Sequence, residues 1–77
     1  MIMLKLGNNE DGAIGPGLYA FSTTGALHLQ WFRDGAFVTL TDGVFAGATD
    51  DLIELPSSRL KVINAGSETI TLSQVRR

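Results

Sequence analysis

The chain has 77 residues, which is enough for one small domain, and it contains no cysteine and a single histidine. Disulfides and thiolate metal sites are therefore excluded, and one imidazole cannot build a histidine-rich zinc site. The net charge is −2, and the lysine and arginine residues are scattered apart from Arg76 and Arg77, so a basic phosphate-binding face is not expected.

The balance of residue types is that of a folded domain with a weakly charged surface. Hydrophobic residues make up 44 % of the chain and charged residues 18 %, whereas a disordered chain is poorer in the first and richer in the second. A domain of this size usually gains support from disulfides, a metal or oligomerisation. Without cysteines, we expect a homo-oligomer or a domain that docks onto a larger protein.

The N-terminal residues predict neither a signal sequence nor a membrane span. Residues 1–6 are apolar, but the run stops at Gly7 and no basic stretch precedes it. No apolar run approaches the ~20 residues that a membrane-spanning helix needs. We therefore expect a cytoplasmic protein with no membrane partner.

The hydrophobic residues recur with a period of two in short segments that glycine-containing turns separate. No segment of ten residues carries the apolar stripe of an amphipathic helix. This pattern predicts a single all-β domain over residues 1–77. The expected architecture is a small antiparallel sandwich, jelly-roll-like, or a barrel, with seven or eight short strands.

The first third of the chain predicts two strands. Residues 1–6 form the first, with Ile2, Leu4 and Leu6 on one face. Residues 7–17 are predicted to be a long loop, because they contain several glycines and Pro16. Residues 18–23 form the second strand, which ends at a turn.

The middle of the chain predicts a β-hairpin. Residues 26–33 and 36–41 flank Asp34-Gly35, a pair favoured in two-residue type I′ turns. One face of the hairpin is apolar and includes Trp31, which is therefore predicted to be a core residue; the other face is mostly polar. The turn pairs Arg33 with Ala36, Phe32 with Phe37, Trp31 with Val38, Gln30 with Thr39 and Leu29 with Leu40.

The last part of the chain predicts a meander and a closing hairpin. A second turn at Asp42-Gly43 is expected to fold residues 44–47 back and to set Phe45 beside Leu40. Residues 46–51 are predicted to be a loop, and residues 52–55 a strand that ends before Pro56. Residues 59–64 and 69–75 form the closing hairpin, whose expected pairs are Leu60 with Leu72 and Val62 with Ile70.

Catalytic and ligand-binding signals are weak in this sequence. His28 has no neighbouring partner that would orient it as a base, and the adjacent Asp50 and Asp51 would point to opposite faces of a strand. The segment 12–17 lacks the Gly-Lys-Ser/Thr ending of a phosphate loop. Residues 8–11 are consecutive oxygen-bearing side chains, not the alternate spacing of a calcium loop. We expect no enzyme, no cofactor and no metal.

A contact surface is the better-supported prediction. Phe32 and Phe37 pair across the hairpin on its mostly polar face, and two exposed phenylalanines there would form an apolar patch next to Arg33 and Asp34. Internal packing of the pair is the alternative. The first strand, with Ile2 and Leu4, and the last strand, residues 69–75, are predicted sheet edges, and such edges recruit partners by β-addition.

The chain carries, in this order, an apolar first strand, Gly15-Pro16-Gly17, Leu18-Tyr19-Ala20-Phe21, Trp31-Phe32-Arg33-Asp34-Gly35, Leu60-Lys61-Val62 and Ile70-Thr71-Leu72. This order resembles small all-β accessory proteins of bacteriophage particles, namely head decoration (cement) proteins and short tail-associated sandwiches. The resemblance implies a homo-oligomeric virion protein that clamps neighbouring capsid or tail subunits and catalyses nothing. It carries no functional residue over to this chain.

Two other functions remain open. A single-stranded nucleic-acid-binding barrel of the OB or cold-shock type could stack bases on His28, Phe32 and Phe37. The acidic charge balance makes nucleic acid an unlikely partner, because backbone charge dominates such binding. A small carbohydrate-binding module would also use aromatic residues beside polar ones on a sheet face.

Overall fold

The computed structural model describes residues 3–76, which form two packed antiparallel sheets and no helix. One sheet has the strand order β1-β8-β3-β6 and the other β2-β7-β4-β5. The predicted all-β sandwich is therefore confirmed, and two separate sheets distinguish it from a barrel. The strands are β1 (Met3–Leu6), β2 (Asp11–Ile14), β3 (Gly17–Thr23), β4 (Leu27–Arg33), β5 (Ala36–Phe45), β6 (Thr49–Leu55), β7 (Ser58–Ile63) and β8 (Ile70–Arg76).

The strand pairing is that of one long hairpin that has been rolled up. β4 pairs with β5, β3 with β6, β2 with β7 and β1 with β8. The turn at Asp34-Gly35 is the tip of this hairpin; β1 to β4 form one arm and β5 to β8 form the other. Eight strands arranged in this way in two sheets are a jelly roll.

The predicted hairpin register is confirmed next to the tip. Gln30, Trp31, Phe32 and Arg33 face the expected partners on β5. Asp34 has φ of 53° and Gly35 has φ of 85°. Positive φ at both central residues is what a type I′ turn requires, and Asp and Gly tolerate it better than other residue types.

The predicted turn at Asp42-Gly43 is wrong. β5 runs on to Phe45, which pairs with Leu27, so Phe45 does not lie beside Leu40. The ladder is irregular between its two regular parts, where residues 40–43 bulge opposite Leu29, so the expected pair of Leu29 with Leu40 is also absent. A Cβ atom on Gly43 would lie 2.7 Å from the carbonyl oxygen of Leu29. Gly43 therefore allows the close approach of the two strands, and its φ is not positive.

The predicted loop over residues 7–17 contains a further strand. β2 pairs with β7, with Asp11 facing Lys61 and Ile14 facing Ser58. Only Ile14 is a large apolar residue in this strand, so the sequence shows no clear alternation there. A Cβ atom on Gly12 would lie 2.8 Å from Leu4 Cδ1, and the space that glycine leaves is filled from β1.

The predicted closing hairpin is also wrong, because β7 and β8 belong to different sheets. Leu60 and Val62 on β7, and Ile70 and Leu72 on β8, are all fully buried. They face the same core from opposite sheets instead of lying side by side in one sheet. The last strand is consequently interior, between β1 and β3, whereas β1 is an edge as predicted.

The core lies between the two sheets and is apolar, apart from a few buried polar groups that make hydrogen bonds. Tyr19 is completely buried, and its hydroxyl donates to the carbonyl oxygen of Gly15 at 2.7 Å. The buried Thr23 hydroxyl accepts a hydrogen bond from the Thr49 N–H at 2.9 Å. Buried polar groups that keep such partners avoid a desolvation cost. The apolar core residues are Leu6, Ile14, Tyr19, Phe21, Leu27, Leu29, Phe45, Leu55, Leu60, Val62, Ala65, Ile70 and Leu72.

Candidate functional site

The titratable residues are dispersed. Within residues 3–76, no group of three or more histidine, cysteine or acidic side chains could hold a metal ion. His28 is half-buried on the outer face of β4, with its Nδ1 3.3 Å from the side-chain nitrogen of Asn64. That same part of the chain has no helix long and apolar enough to cross a membrane.

Asp50 and Asp51 lie in β6, which begins at Thr49, so the predicted loop over residues 46–51 is shorter than expected. Asp50 faces Ser22 and Asp51 faces Phe21 in the ladder with β3. The two carboxylates therefore point to opposite faces of the sheet. The Asp51 carboxylate accepts the N–H of Leu52 at 2.8 Å.

Phe32 and Phe37 lie together on the outer face of their sheet, outside the core. Their ring centroids are 5.3 Å apart in an edge-to-face arrangement. Phe32 is 47 % exposed and Phe37 is half-buried. Lys61, from the neighbouring strand β7, holds its ammonium 5.4 Å from the Phe37 ring centroid. We call these three residues the tip patch.

The structure separates the other two predicted tip residues from the tip patch. Arg33 has its guanidinium 5.4 Å from the Trp31 ring centroid, because alternate residues of β4 share a face. Asp34 is in the turn and almost fully exposed, with an Oδ2 that lies 3.8 Å from Arg33 Nε. An exposed ion pair at that distance contributes little to stability.

Lys61 is a member of the tip patch that sequence analysis missed. It faces Gln30 because β7 lies beside β4, and no local pattern reveals which strands become neighbours. Arg59, on the same outer face, is held by Asp11 at 2.7 Å between Nε and Oδ2. Arg59 is thus paired with an acidic side chain, whereas Lys61 contacts the Phe37 ring.

A groove opens between the edge strands β5 and β6, where the sandwich is not closed. It has a volume of about 460 Å³, and its apolar wall includes Trp31, Leu40 and Ile53. Asp42 and Glu54 add carboxylates to the lining. Trp31 is half-buried at this groove. It packs against the core but is not enclosed in it, so it is not the fully buried core residue that the sequence predicts.

The edge strands of the β1-β8-β3-β6 sheet expose apolar side chains at both ends. Met3 on β1 is 64 % exposed, and Leu52 on β6 is 55 % exposed. Leu4, a predicted interface residue, is half-buried and packs against the core. Ile2, the other interface residue predicted in the first strand, lies outside the described residues.

Comparison with protein-family models, with curated proteins and with solved structures gave no match for this chain. The jelly-roll fold by itself does not define a function, since the same fold supports many unrelated ones. Function therefore has to be inferred from three surfaces of the molecule: the tip patch, the groove between β5 and β6, and the sheet edges.

Proposed function

We propose that this domain is a non-enzymatic structural subunit that binds protein, through contacts with copies of itself and with larger subunits. The observation that carries the proposal is the exposure of large apolar side chains on the outer faces of both sheets. A monomer leaves such side chains in contact with water, whereas an interface buries them. They are Met3, Phe32, Val44, Leu52 and Val75, each between 47 % and 64 % exposed.

The proposed setting is a virion, in which the domain would act as a capsid decoration protein or another accessory protein that clamps coat or tail subunits. Jelly rolls recur in viral capsid domains, which is support by analogy only. The low charged fraction of 18 % suits a subunit that is packed among others. In another setting, the same surfaces would serve a cytoplasmic assembly.

The double substitution of Phe32 and Phe37 by serine tests the tip patch. Burial of the exposed half of one phenylalanine on association contributes about 2 kcal/mol. We expect self-association or partner binding to weaken at least tenfold, and the free energy of unfolding to fall by no more than about 1.5 kcal/mol, the usual contribution of an aromatic pair. Light scattering after size-exclusion chromatography measures the first quantity, and thermal unfolding measures the second.

Ala36→Ser is the matched control, because Ala36 is an exposed neighbour of Phe37 that pairs with Arg33. It should change neither quantity. A collapse of the melting temperature in the double variant, with association unchanged in the folded fraction, would show that the phenylalanines act in internal packing and would remove the tip patch from the proposal.

A carbohydrate-binding function is the second candidate, and the groove between β5 and β6 favours it. Trp31 lines this groove with the Arg33 guanidinium over its ring, and Asp42 and Glu54 offer acceptors for sugar hydroxyls. Aromatic stacking combined with a few convergent polar groups is typical of small-ligand sites.

Trp31 is the single tryptophan of the chain, so its fluorescence reports directly on the groove. A carbohydrate-binding groove predicts that neutral oligosaccharides shift the emission of Trp31 in a saturable way. Glu54→Gln should weaken that response several-fold, because it replaces an ionised acceptor with a neutral amide. An emission spectrum that stays constant up to millimolar sugar concentrations rejects this second function.

A further inference from the structure

We propose that copies of this chain join head to tail through their sheet edges, with β6 of one copy adding to β1 of the next. This inference rests on the proposed function, because it names the partner as a second copy and the surfaces as two different edges. It concerns the β1-β8-β3-β6 sheet, whose edges are β1 and β6. Edge strands present unpaired backbone groups, which makes them natural sites of β-addition.

The directions of the strands permit this junction. Neighbouring strands in the sheet are antiparallel at each of the three ladders, so β1 and β6 run in opposite directions. A second copy displaced along the sheet therefore brings its β1 antiparallel to β6 of the first. Antiparallel addition continues the existing hydrogen-bond pattern without rotation of either copy by a half turn.

The register of the sheet places complementary side chains at the two edges. One row across the outer face runs from Met3 through Ser73 and Ala20 to Leu52. Continuing that row into a second copy sets Leu52 beside Met3 of the next chain. Both side chains are more than half exposed in the single chain, and the contact would bury them together.

The adjacent row on the same face ends in opposite charges. It runs from Lys5 through Thr71 and Ser22 to Asp50. Continuation of this row sets Asp50 beside Lys5 of the next copy, as an oppositely charged cross-strand pair. Within one chain these two residues are separated by three strand spacings, about 14 Å, so they form no contact with each other.

The charges of the two edges also disfavour the symmetric alternatives. β6 carries Asp50, Asp51 and Glu54 and no basic residue, whereas Lys5 is the charged residue of β1. Pairing of β6 with a second β6 would bring acidic residues together, and pairing of β1 with a second β1 would place two lysines in the junction with no acidic partner on either strand. Like charges on paired strands are destabilising. Only the unlike edges match, and a contact between unlike surfaces produces rings or filaments instead of closed dimers.

Charge reversal at either edge tests the junction. Lys5→Glu and Asp50→Lys should each weaken self-association about tenfold at low salt, since a favourable pair becomes a repulsive one. Both residues are exposed, so neither change should alter thermal unfolding appreciably. The double variant Lys5→Glu/Asp50→Lys restores opposite charges at the junction and should recover most of the wild-type association. Sedimentation velocity over a concentration series measures all four proteins.

An equimolar mixture of the two single variants provides a sharper readout. In each variant alone, the two edges that would pair carry the same charge. In the mixture, the two possible junctions between different variants each bring opposite charges together. We expect larger assemblies in the mixture than in either sample. Hydrogen exchange should then show greater protection of the β1 and β6 amides in the mixture than in either single variant alone.

The possible outcomes separate this inference from the proposed function. If the wild type assembles, loses assembly on substitution of Phe32 and Phe37, and is insensitive to charge at Lys5 and Asp50, the edge junction is wrong and the proposed function stands. If the wild type is a monomer at every concentration, the junction is wrong and self-association must be removed from the proposed function. Rescue by the double variant and by the mixture supports the junction.

Discussion

Replacement of Leu72 by alanine is expected to lower the free energy of unfolding by about 2–5 kcal/mol. Leu72 is completely buried between the sheets, on the interior strand β8. Its truncation removes apolar contacts and leaves a cavity that a close-packed sandwich cannot fill. A domain of this length has a total stability of about 4–12 kcal/mol, so this variant loses a large part of it.

Chemical denaturation with circular dichroism measures this effect, at a protein concentration where the chain is monomeric. Val44→Ala is the control, because Val44 is an aliphatic strand residue that is 56 % exposed. We expect it to change stability by less than about 0.5 kcal/mol. Equal losses in the two variants would mean that Leu72 does not face the core as described.

Substitution of Gly43 by alanine is the second change with a large expected effect. Its Cβ atom would lie 2.7 Å from the carbonyl oxygen of Leu29 and 2.9 Å from the Leu40 Cβ. The first of these neighbours is backbone and cannot rotate away, so the bulge and β4 must separate. Overpacking of this kind costs about 1–3 kcal/mol, and the groove beside Leu40 should change shape with it.

Gly47→Ala is the matched control for this prediction, since a Cβ atom there meets nothing within 4 Å. Its expected effect is neutral or slightly stabilising, because alanine restricts the unfolded chain more than glycine does. Thermal unfolding compares the two variants, and Trp31 fluorescence reports on the groove. If both variants melt alike, the close approach of β5 to β4 at the bulge is not present in solution.

The tip patch and the sheet edges differ in how much of each the sequence reveals. The pairing of Phe32 with Phe37 was predictable, because a two-residue turn fixes the register of the strands that it joins. Lys61 was not, because its place beside Phe37 depends on β7 lying next to β4. The match between Lys5 and Asp50 is likewise visible only when the rows of the sheet are known.

Local signals in the sequence determined the period-two strands, the hairpin at Asp34-Gly35 and the all-β class. These features follow from interactions between residues that are close along the chain: turn geometry, alternation of apolar residues and the lack of a helical stripe. The strand β2 was missed for the same reason, since glycine and alanine in this segment give no alternation to read.

The tertiary structure alone decided which strands became neighbours and which edges stayed free. The ladders extend from the tip outward, from Gln30 with Thr39, through Ala20 with Leu52, to Met3 with Ser73. Each step joins residues that are farther apart in the sequence, so no local pattern specifies it. Leu60 and Leu72 show the consequence. Both stand in alternating apolar patterns that would suit the core face of one hairpin, but the same patterns also bury them when their strands lie in opposite sheets. Apolar burial has no preferred direction, and the choice between these arrangements is made by the packing of the whole sandwich.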